Sequence, residues 1–344
     1  MKIAADIDNR TGLSGYRPRP GYILCLVLLI WSGKAQSQDL QFSQFYPNSL
    51  YFNPAFAGSS GNIRFTLNYR DQWPELSSDF VTYSASYDQP LEFVHGGVGI
   101  HVFNDNLGSG TIRKYSAAFI YSYHLRVTRD LFVFAGLQAS LNQNSLNSGD
   151  LVFEDMIDPF RGVSYPTLET ISGYGKIYPD FAVGFLGIYK ELYGGIVIHH
   201  LAKPGISDNP IEEARLPRKY SVHVANNFYL TGSADRAGSV ILTPTLLYQQ
   251  QNHYQNLNYG FILSREPVSL GAWIRHDLAF SFSTVIIGLA AHYRDVSLSY
   301  SYDMIVSGAG TGIPGTGAHE ISCIVGFGNV EKSNVVRAIK TPKI

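Results

Sequence analysis

From Gly61 onwards, apolar and polar positions alternate with a period of two in segments rich in Tyr, Phe, Val, Ile and Thr, and clusters of Asn, Asp, Gly and Pro separate the segments. Successive side chains of a β-strand point to opposite faces, so this rhythm predicts strands with one apolar face each. The pattern places them at 62–70, 79–88, 95–103, 112–125, 130–142, 177–190, 191–200, 218–230, 238–250, 254–264, 267–276, 279–292, 294–303 and 318–328, fourteen in all. Three of them show how the faces divide. Ile63, Phe65, Leu67 and Tyr69 oppose Arg64, Thr66, Asn68 and Arg70. Tyr115, Ala117, Phe119, Tyr121, Tyr123 and Leu125 oppose Lys114, Ser116, Ala118, Ser122 and His124. Val296, Leu298, Tyr300 and Tyr302 oppose Ser297, Ser299, Ser301 and Asp303. The last segment alternates from Glu320 towards Phe327, as suits a closing strand. Two stretches break the rhythm: 143–176, poor in alternating apolar residues, and 201–217, with three prolines beside Glu212 and Glu213. These are long connections of the kind that tend to carry function.

Composition decides what the apolar faces meet. Only 15% of the 344 residues are charged, against about 25% in an average soluble protein. A soluble β-sandwich alternates in the same way but covers its outer face with Lys and Glu, which are scarce here. An all-β, transmembrane antiparallel barrel of about 14 strands accounts for both observations. Its apolar face meets outer-membrane lipid, small polar and charged side chains line the lumen, and Tyr at strand ends forms the interfacial girdles. An even strand count places both ends of the barrel in the periplasm. With a net charge of −1 and no basic patch, no nucleic-acid partner is expected. Aromatic residues at 13% exclude a disordered polymer.

The N-terminus supplies a compartment. An apolar run over 22–31 follows Arg17 and Arg19 and precedes Ala35-Gln36-Ser37, the arrangement of a cleaved signal peptide over 1–37. No later run is long and apolar enough for a transmembrane helix. Cys25 leaves with the signal peptide, so the remaining Cys323 has no intramolecular disulfide partner. The expected organisation is a signal peptide at 1–37, an N-terminal segment at 38–60, the barrel at 61–328, and a periplasmic tail at 329–344 carrying Lys332, Arg337, Lys340 and Lys343.

Catalytic chemistry is not apparent. His199 and His200 are adjacent on a predicted strand, which points them to opposite faces and prevents chelation of one metal. Asp150, Glu154, Asp155 and Asp158 share a loop but lack the spacing of a calcium-binding loop. Hydrolase and phosphate-binding motifs are missing as well. The expectation is a protein without enzymatic activity, cofactor or metal site.

Five short stretches, in order, resemble the PorP/SprF family of Bacteroidetes outer-membrane proteins. Gln38 to Tyr46 leads into Leu50-Tyr51-Phe52-Asn53-Pro54-Ala55-Phe56-Ala57-Gly58, followed by Tyr69-Arg70-Asp71-Gln72-Trp73 and by Asn104-Asp105-Asn106-Leu107-Gly108. Tyr300-Ser301-Tyr302-Asp303 and then Gly317-Ala318-His319-Glu320-Ile321 close the series. Leu40, Ser49 and Ala318 depart from the family pattern. The resemblance implies a component of the outer membrane that works with periplasmic and outer-membrane parts of the type IX secretion and gliding machinery. It assists secretion or surface attachment of a cargo bearing a type IX C-terminal domain, such as a large adhesin. The alternative is a passive porin or solute channel. Physically, Asn53-Pro54 suits a turn initiator, and Ala55, Ala57 and Gly58 allow close approach, so 38–60 is a candidate plug inside the barrel. Arg70 and Asp71, at a strand end, are expected to pair with each other's neighbours inside the lumen, with Trp73 at an interface. Glu320 shares a face with Ser322, near Asp303; facing inwards, both carboxylates need a basic or hydrogen-bonding partner, for which Arg70 or Arg64 on the first strand is the candidate.

Overall fold

The alternating segments form the staves of one closed antiparallel sheet in a computed structural model, which describes residues 39–327 apart from 76–79, 148, 150, 159, 169–174, 207–213, 233–237, 281–282 and 308–315. The expected signal peptide (1–37) and tail (329–344) lie outside the described residues. The barrel strands are β1 (Ile63–Gln72), β2 (Phe80–Leu91), β3 (Gly96–Leu107), β4 (Ile112–Arg126), β5 (Leu131–Leu146), β6 (Ile177–Tyr189) and β7 (Leu192–His199). They continue as β8 (Lys219–Asn226, resuming past Asn227 as Phe228–Thr231), β9 (Val240–Gln251), β10 (Tyr254–Arg265), β11 (Val268–His276), β12 (Ser283–Tyr293), β13 (Val296–Ser307) and β14 (Ala318–Phe327). Each pairs with the next, and β14 returns to β1 in a register running from Ile63 opposite Phe327 to Gln72 opposite Ala318. Closure gives every strand a neighbour on both sides, so no edge strand is left to the hydrocarbon of a bilayer.

Each predicted strand is present, and several run further than the apolar pattern. The β4–β5 ladder continues to Ile112 opposite Leu146, through Asn142, Asn144 and Ser145, because a paired neighbour sustains the ladder where no apolar face is needed. Alternation sorts the side chains as expected. Leu67, Phe119, Leu289 and Leu298 are exposed on the outer face, whereas Thr66, Asn68, Ser122, Ser299, Ser301 and Glu320 are buried towards the lumen.

The two ends of the barrel differ. Ile63 and Phe327 share one end with tight connections at 92–95, 127–130, 190–191, 266–267 and 294–295. The opposite end carries the long connections 147–176 and 200–218. In the first, a small hairpin pairs Ile157–Asp158 with Gly162–Val163. Asp158 Oδ1 accepts the N–H groups of Phe160 and Arg161 at 2.8 and 2.9 Å, and these donors hold its carboxyl below the usual carboxylate range. The turn lifts Phe160 to 98% exposure. Asp155 accepts from Thr167 Oγ1 at 3.0 Å and from the Leu168 N–H at 2.6 Å, so both carboxylates shape the loop rather than face a common ion.

A lipid-facing position near mid-strand tests the assignment of faces. Leu289→Arg, central on β12 and exposed on the outer face, is expected to cost about 2–4 kcal/mol of barrel stability in urea-unfolding titrations in vesicles, whereas Asn106→Arg near the rim should cost about 1 kcal/mol or less.

Candidate functional site

The lumen is occupied by the protein's own chain. Residues 42–59 are buried apart from Tyr51, which is half-buried. Their local structure follows from the sequence. A single helical turn, α1 (Ser49–Phe52), ends where Asn53 adopts extended backbone (φ −149). Asn53 Oδ1 then accepts the Ala55 N–H at 2.9 Å and caps a 3₁₀ turn over Pro54–Phe56. Pro54 opens that turn, where its missing N–H costs nothing.

A chain in a lumen has no ladder, so its buried carbonyls need side-chain donors. The inner wall supplies them. Ser122 Oγ donates to the Ala55 carbonyl at 3.0 Å, His124 Nε2 to Ala57 at 3.0 Å, and His199 Nε2 to Phe52 at 3.3 Å. Asn53 Nδ2 donates to the Phe185 carbonyl at 3.3 Å and lies 3.3 Å from His223 Nε2. Close approach needs glycine on the wall. A Cβ on Gly136 would sit 2.2 Å from Ala55 N, and one on Gly97 would sit 2.3 Å from the Ala57 carbonyl oxygen. Around these bonds Phe45, Leu50, Phe52 and Phe56 pack with Ile120, Phe134, Leu186 and Trp273 in one apolar cluster.

Ion clusters hold the segment at both ends. Arg70 on β1 bonds Glu320 on β14 through Nη1 at 3.3 Å and Asp303 on β13 through Nη2 at 3.1 Å. Arg275 on β11 bonds the same Asp303 oxygen at 2.8 Å. Glu320 also accepts the Ser43 and Gln44 N–H groups at 2.7 and 3.2 Å, and Arg70 Nη1 donates to Ser43 Oγ. Two cations and two anions thus balance around the start of the plug, across the seam where the barrel closes. At its end, Arg64 Nε bonds Asp88 Oδ1 at 2.8 Å, while Asp88 Oδ2 accepts the N–H of Gly58 (φ 70) at 2.9 Å. Of the two candidate partners for Glu320 and Asp303, Arg70 meets both carboxylates and Arg64 serves Asp88 instead.

The other motif residues divide between the faces. Asp105 is buried and accepts Thr82 Oγ1 at 2.7 Å, and Gln72 Oε1 accepts from Arg70 Nη2 at 3.3 Å. Asp71 lies on the outer face, not in the lumen: β1 extends past residue 70, so alternation carries Asp71 to the side of Tyr69, whose hydroxyl donates to it at 3.2 Å. Asn104 is on the outer face opposite Tyr83 and Tyr115. Trp73 (φ 64) donates its N–H to the Gly317 carbonyl at 2.9 Å and packs edge-on against Phe80. Gly108 turns β3 into β4, its carbonyl accepting the Thr111 N–H at 3.1 Å. His319 faces outwards, 2.7 Å from the Tyr300 hydroxyl and beside the Tyr302 ring.

The histidine pair corrects an expectation. His199 is the last residue of β7 and points inwards; His200 follows in left-handed backbone (φ 56), which swings its ring back to Asp180 at 2.7 Å instead of to the opposite face. Among the described residues, no group of three His, Cys, Asp or Glu side chains is placed to hold a metal ion. Asp88 and His124 carry plug contacts that sequence reasoning missed, as it missed Arg275, the second cation on Asp303. Their only sequence signal is a polar residue on the lumen face of a strand.

A family profile described as type IX secretion system membrane protein PorP/SprF matches residues 34–325. No curated protein matches the sequence. Among solved structures, the outer membrane protein Omp33 of Acinetobacter baumannii aligns at 9% identity and TM-score 0.44, covering 78% of this chain and all of that one. The toluene transporter TbuX of Ralstonia pickettii aligns at 10% identity and TM-score 0.45, covering 81% and 92% of the two chains. The toluene transporter TodX of P. putida gives 12% identity, TM-score 0.45, and 80% and 93% coverage. Likeness at this level has no bearing on what binds or passes.

Removing Arg70 leaves Glu320 and Asp303 buried without their shared cation. Arg70→Met is expected to lower stability by about 3–5 kcal/mol in urea titrations, and a cycle with Glu320→Gln should show strong coupling between the two positions. Strictly additive effects would contradict the cluster.

Proposed function

Since the chain belongs to the PorP/SprF family of type IX secretion system membrane proteins, we propose that it is a non-enzymatic, self-plugged outer-membrane component that assists secretion or surface attachment of a partner protein. The partner class is a cargo with a type IX C-terminal domain, such as a large adhesin, within the secretion and gliding machinery. The export route begins with removal of a signal peptide over 1–37.

The filled lumen carries this reading. Barrels of about eight strands fill themselves with side chains, whereas wider ones leave an aqueous space. Here that space is taken by the plug, and Leu50, Phe56, Phe134, Leu186, Ile262 and Ile286 are at most 1% exposed. A passive solute channel needs the volume these side chains occupy. What the barrel offers a partner is therefore its two ends: tight turns and the β14 terminus on one, the long connections with exposed Phe160 on the other. On the outer-membrane rule of short periplasmic turns and long external loops, the first end meets the periplasmic apparatus and the second meets cargo. The motif residues on the outer face, Tyr69, Asp71, Asn104, Tyr302 and His319, are proposed to contact neighbouring outer-membrane components, while Asn53, Gly58, Arg70, Asp303 and Glu320 hold the plug.

Two measurements test the reading. Deleting the gene is expected to reduce surface display or release of at least one protein bearing a type IX C-terminal domain, read by mass spectrometry of surface and supernatant fractions. Unchanged export of every such cargo contradicts it. In planar bilayers the intact protein is expected to be silent and a chain lacking 41–57 to conduct; steady conductance from the intact protein favours the channel instead.

A further inference from the structure

The outer face of the barrel is not uniform. Across β1 to β5, the row of cross-strand partners Leu67, Ala85, Val102, Ala117 and Leu141 holds two alanines. The next row towards the long connections carries Tyr69, Tyr83, Asn104 and Tyr115, and the row on the other side carries Phe65, Tyr87, Ile100 and Phe119. Small residues between two bulky rows leave a trough of about 760 Å³, lined mainly by apolar side chains. The Tyr69 and Tyr83 rings pack at 5.3 Å and make one side of it a continuous wall. Partner rows of an antiparallel sheet run perpendicular to the strands, and barrel strands tilt by about 35–45°, so the trough crosses the bilayer obliquely. Four strand spacings of about 4.8 Å make it about 19 Å long. One leaflet offers about 15 Å of hydrocarbon, and a single lipid chain lying obliquely matches the trough. In the wall nearer the long connections stands Asn104, half-buried, whose side-chain amide forms no hydrogen bond among the described residues. A polar group left unmatched beside hydrocarbon is costly. One row further out, Asp71, Asn106 and Arg113 mark the level at which polar surroundings begin.

We propose that the trough is a binding site for one membrane lipid: an acyl chain lies along the floor formed by Ala85 and Ala117, and the carbonyl at its root accepts a hydrogen bond from Asn104 Nδ2. The head group is then at the level of Asp71, Asn106 and Arg113. Two features select a lipid over a protein chain. The trough opens onto the face that the barrel turns to hydrocarbon, and its polar group sits among the interfacial tyrosines, where an acyl lipid carries its carbonyl. The site deepens the reading given above for Tyr69 and Asn104, since the membrane component they meet first is a lipid. It rests on placement in the outer membrane and not on a role in secretion, so the export of cargo and the occupancy of the trough are tested separately.

Two lipids that differ only at the acyl root test this. The purified protein, stripped of lipid in mild detergent, is titrated with dipalmitoyl phosphatidylcholine or with its dihexadecyl ether analogue, which lacks the carbonyls, and the fraction carrying one lipid is read by native mass spectrometry. The unaltered protein is expected to retain one diacyl lipid about fivefold better than the diether, the worth of one hydrogen bond. Asn104→Leu is expected to remove that preference. The double variant Ala85→Phe, Ala117→Phe fills the floor and should lower retention of both lipids about tenfold or more. Ala291→Phe, exposed on the outer face of β12, makes the same change away from the trough and should leave retention unaltered. Because these side chains point outwards, the variants fold, which the fast electrophoretic migration of the unheated barrel checks. Equal retention of the two lipids by the unaltered protein, or retention unchanged when the floor is filled, overturns the proposal. Loss of a second protein chain, rather than of lipid, from the filled variant overturns it as well.

Discussion

The Arg70 guanidinium is the joint on which this structure depends. It stands on the first strand, reaches the last strand through Glu320 and the one before it through Asp303, and touches the plug at Ser43. Barrel closure and filling of the lumen therefore share one buried network. Such a network is costly to assemble, since four charges leave water, and it is stable only when every member is matched. Arg275 completes the match by giving Asp303 a second cation. The arrangement favours a single register at the seam and a single seating of the plug together.

From that joint the rest of the interior follows. A plug that joins no ladder must have its free carbonyls answered by the wall, which explains inward-facing His124, His199 and Ser122 in strands whose outer faces are apolar. It must also come close enough for those bonds, which explains Gly97 and Gly136 on the wall. Asp88 with Arg64 secures the far end at Gly58. The polar lumen face, which in an open porin would meet water, here meets the protein itself.

Much of this was legible in the sequence, for a definite reason. Period-two alternation is local, so Ser297, Ser299, Ser301 and Asp303 announce an inward face without any knowledge of neighbours, and charge scarcity says that the other face meets lipid. Asn53-Pro54 and Gly58 marked the plug because turn chemistry is also local. Partnerships were less legible. Arg275 and Asp303 are separated by 28 residues and Ser43 and Glu320 by 277, and nothing in a strand pattern specifies which lumen-facing charge meets which. Asp71 and His200 departed from expectation through backbone details: a strand two residues longer than its apolar pattern, and one left-handed residue past a strand end.

The central claim is that residues 41–58 are an integral part of the barrel's interior. Hydrogen exchange of the protein in lipid nanodiscs tests it most directly. The Ser43, Gln44, Ala55 and Gly58 amides donate to buried carboxylate or amide oxygens, so peptides covering 41–58 should stay protected for as long as those of β1 and β14. Exchange of that segment at the rate of a free chain, while the strands remain protected, would contradict the account.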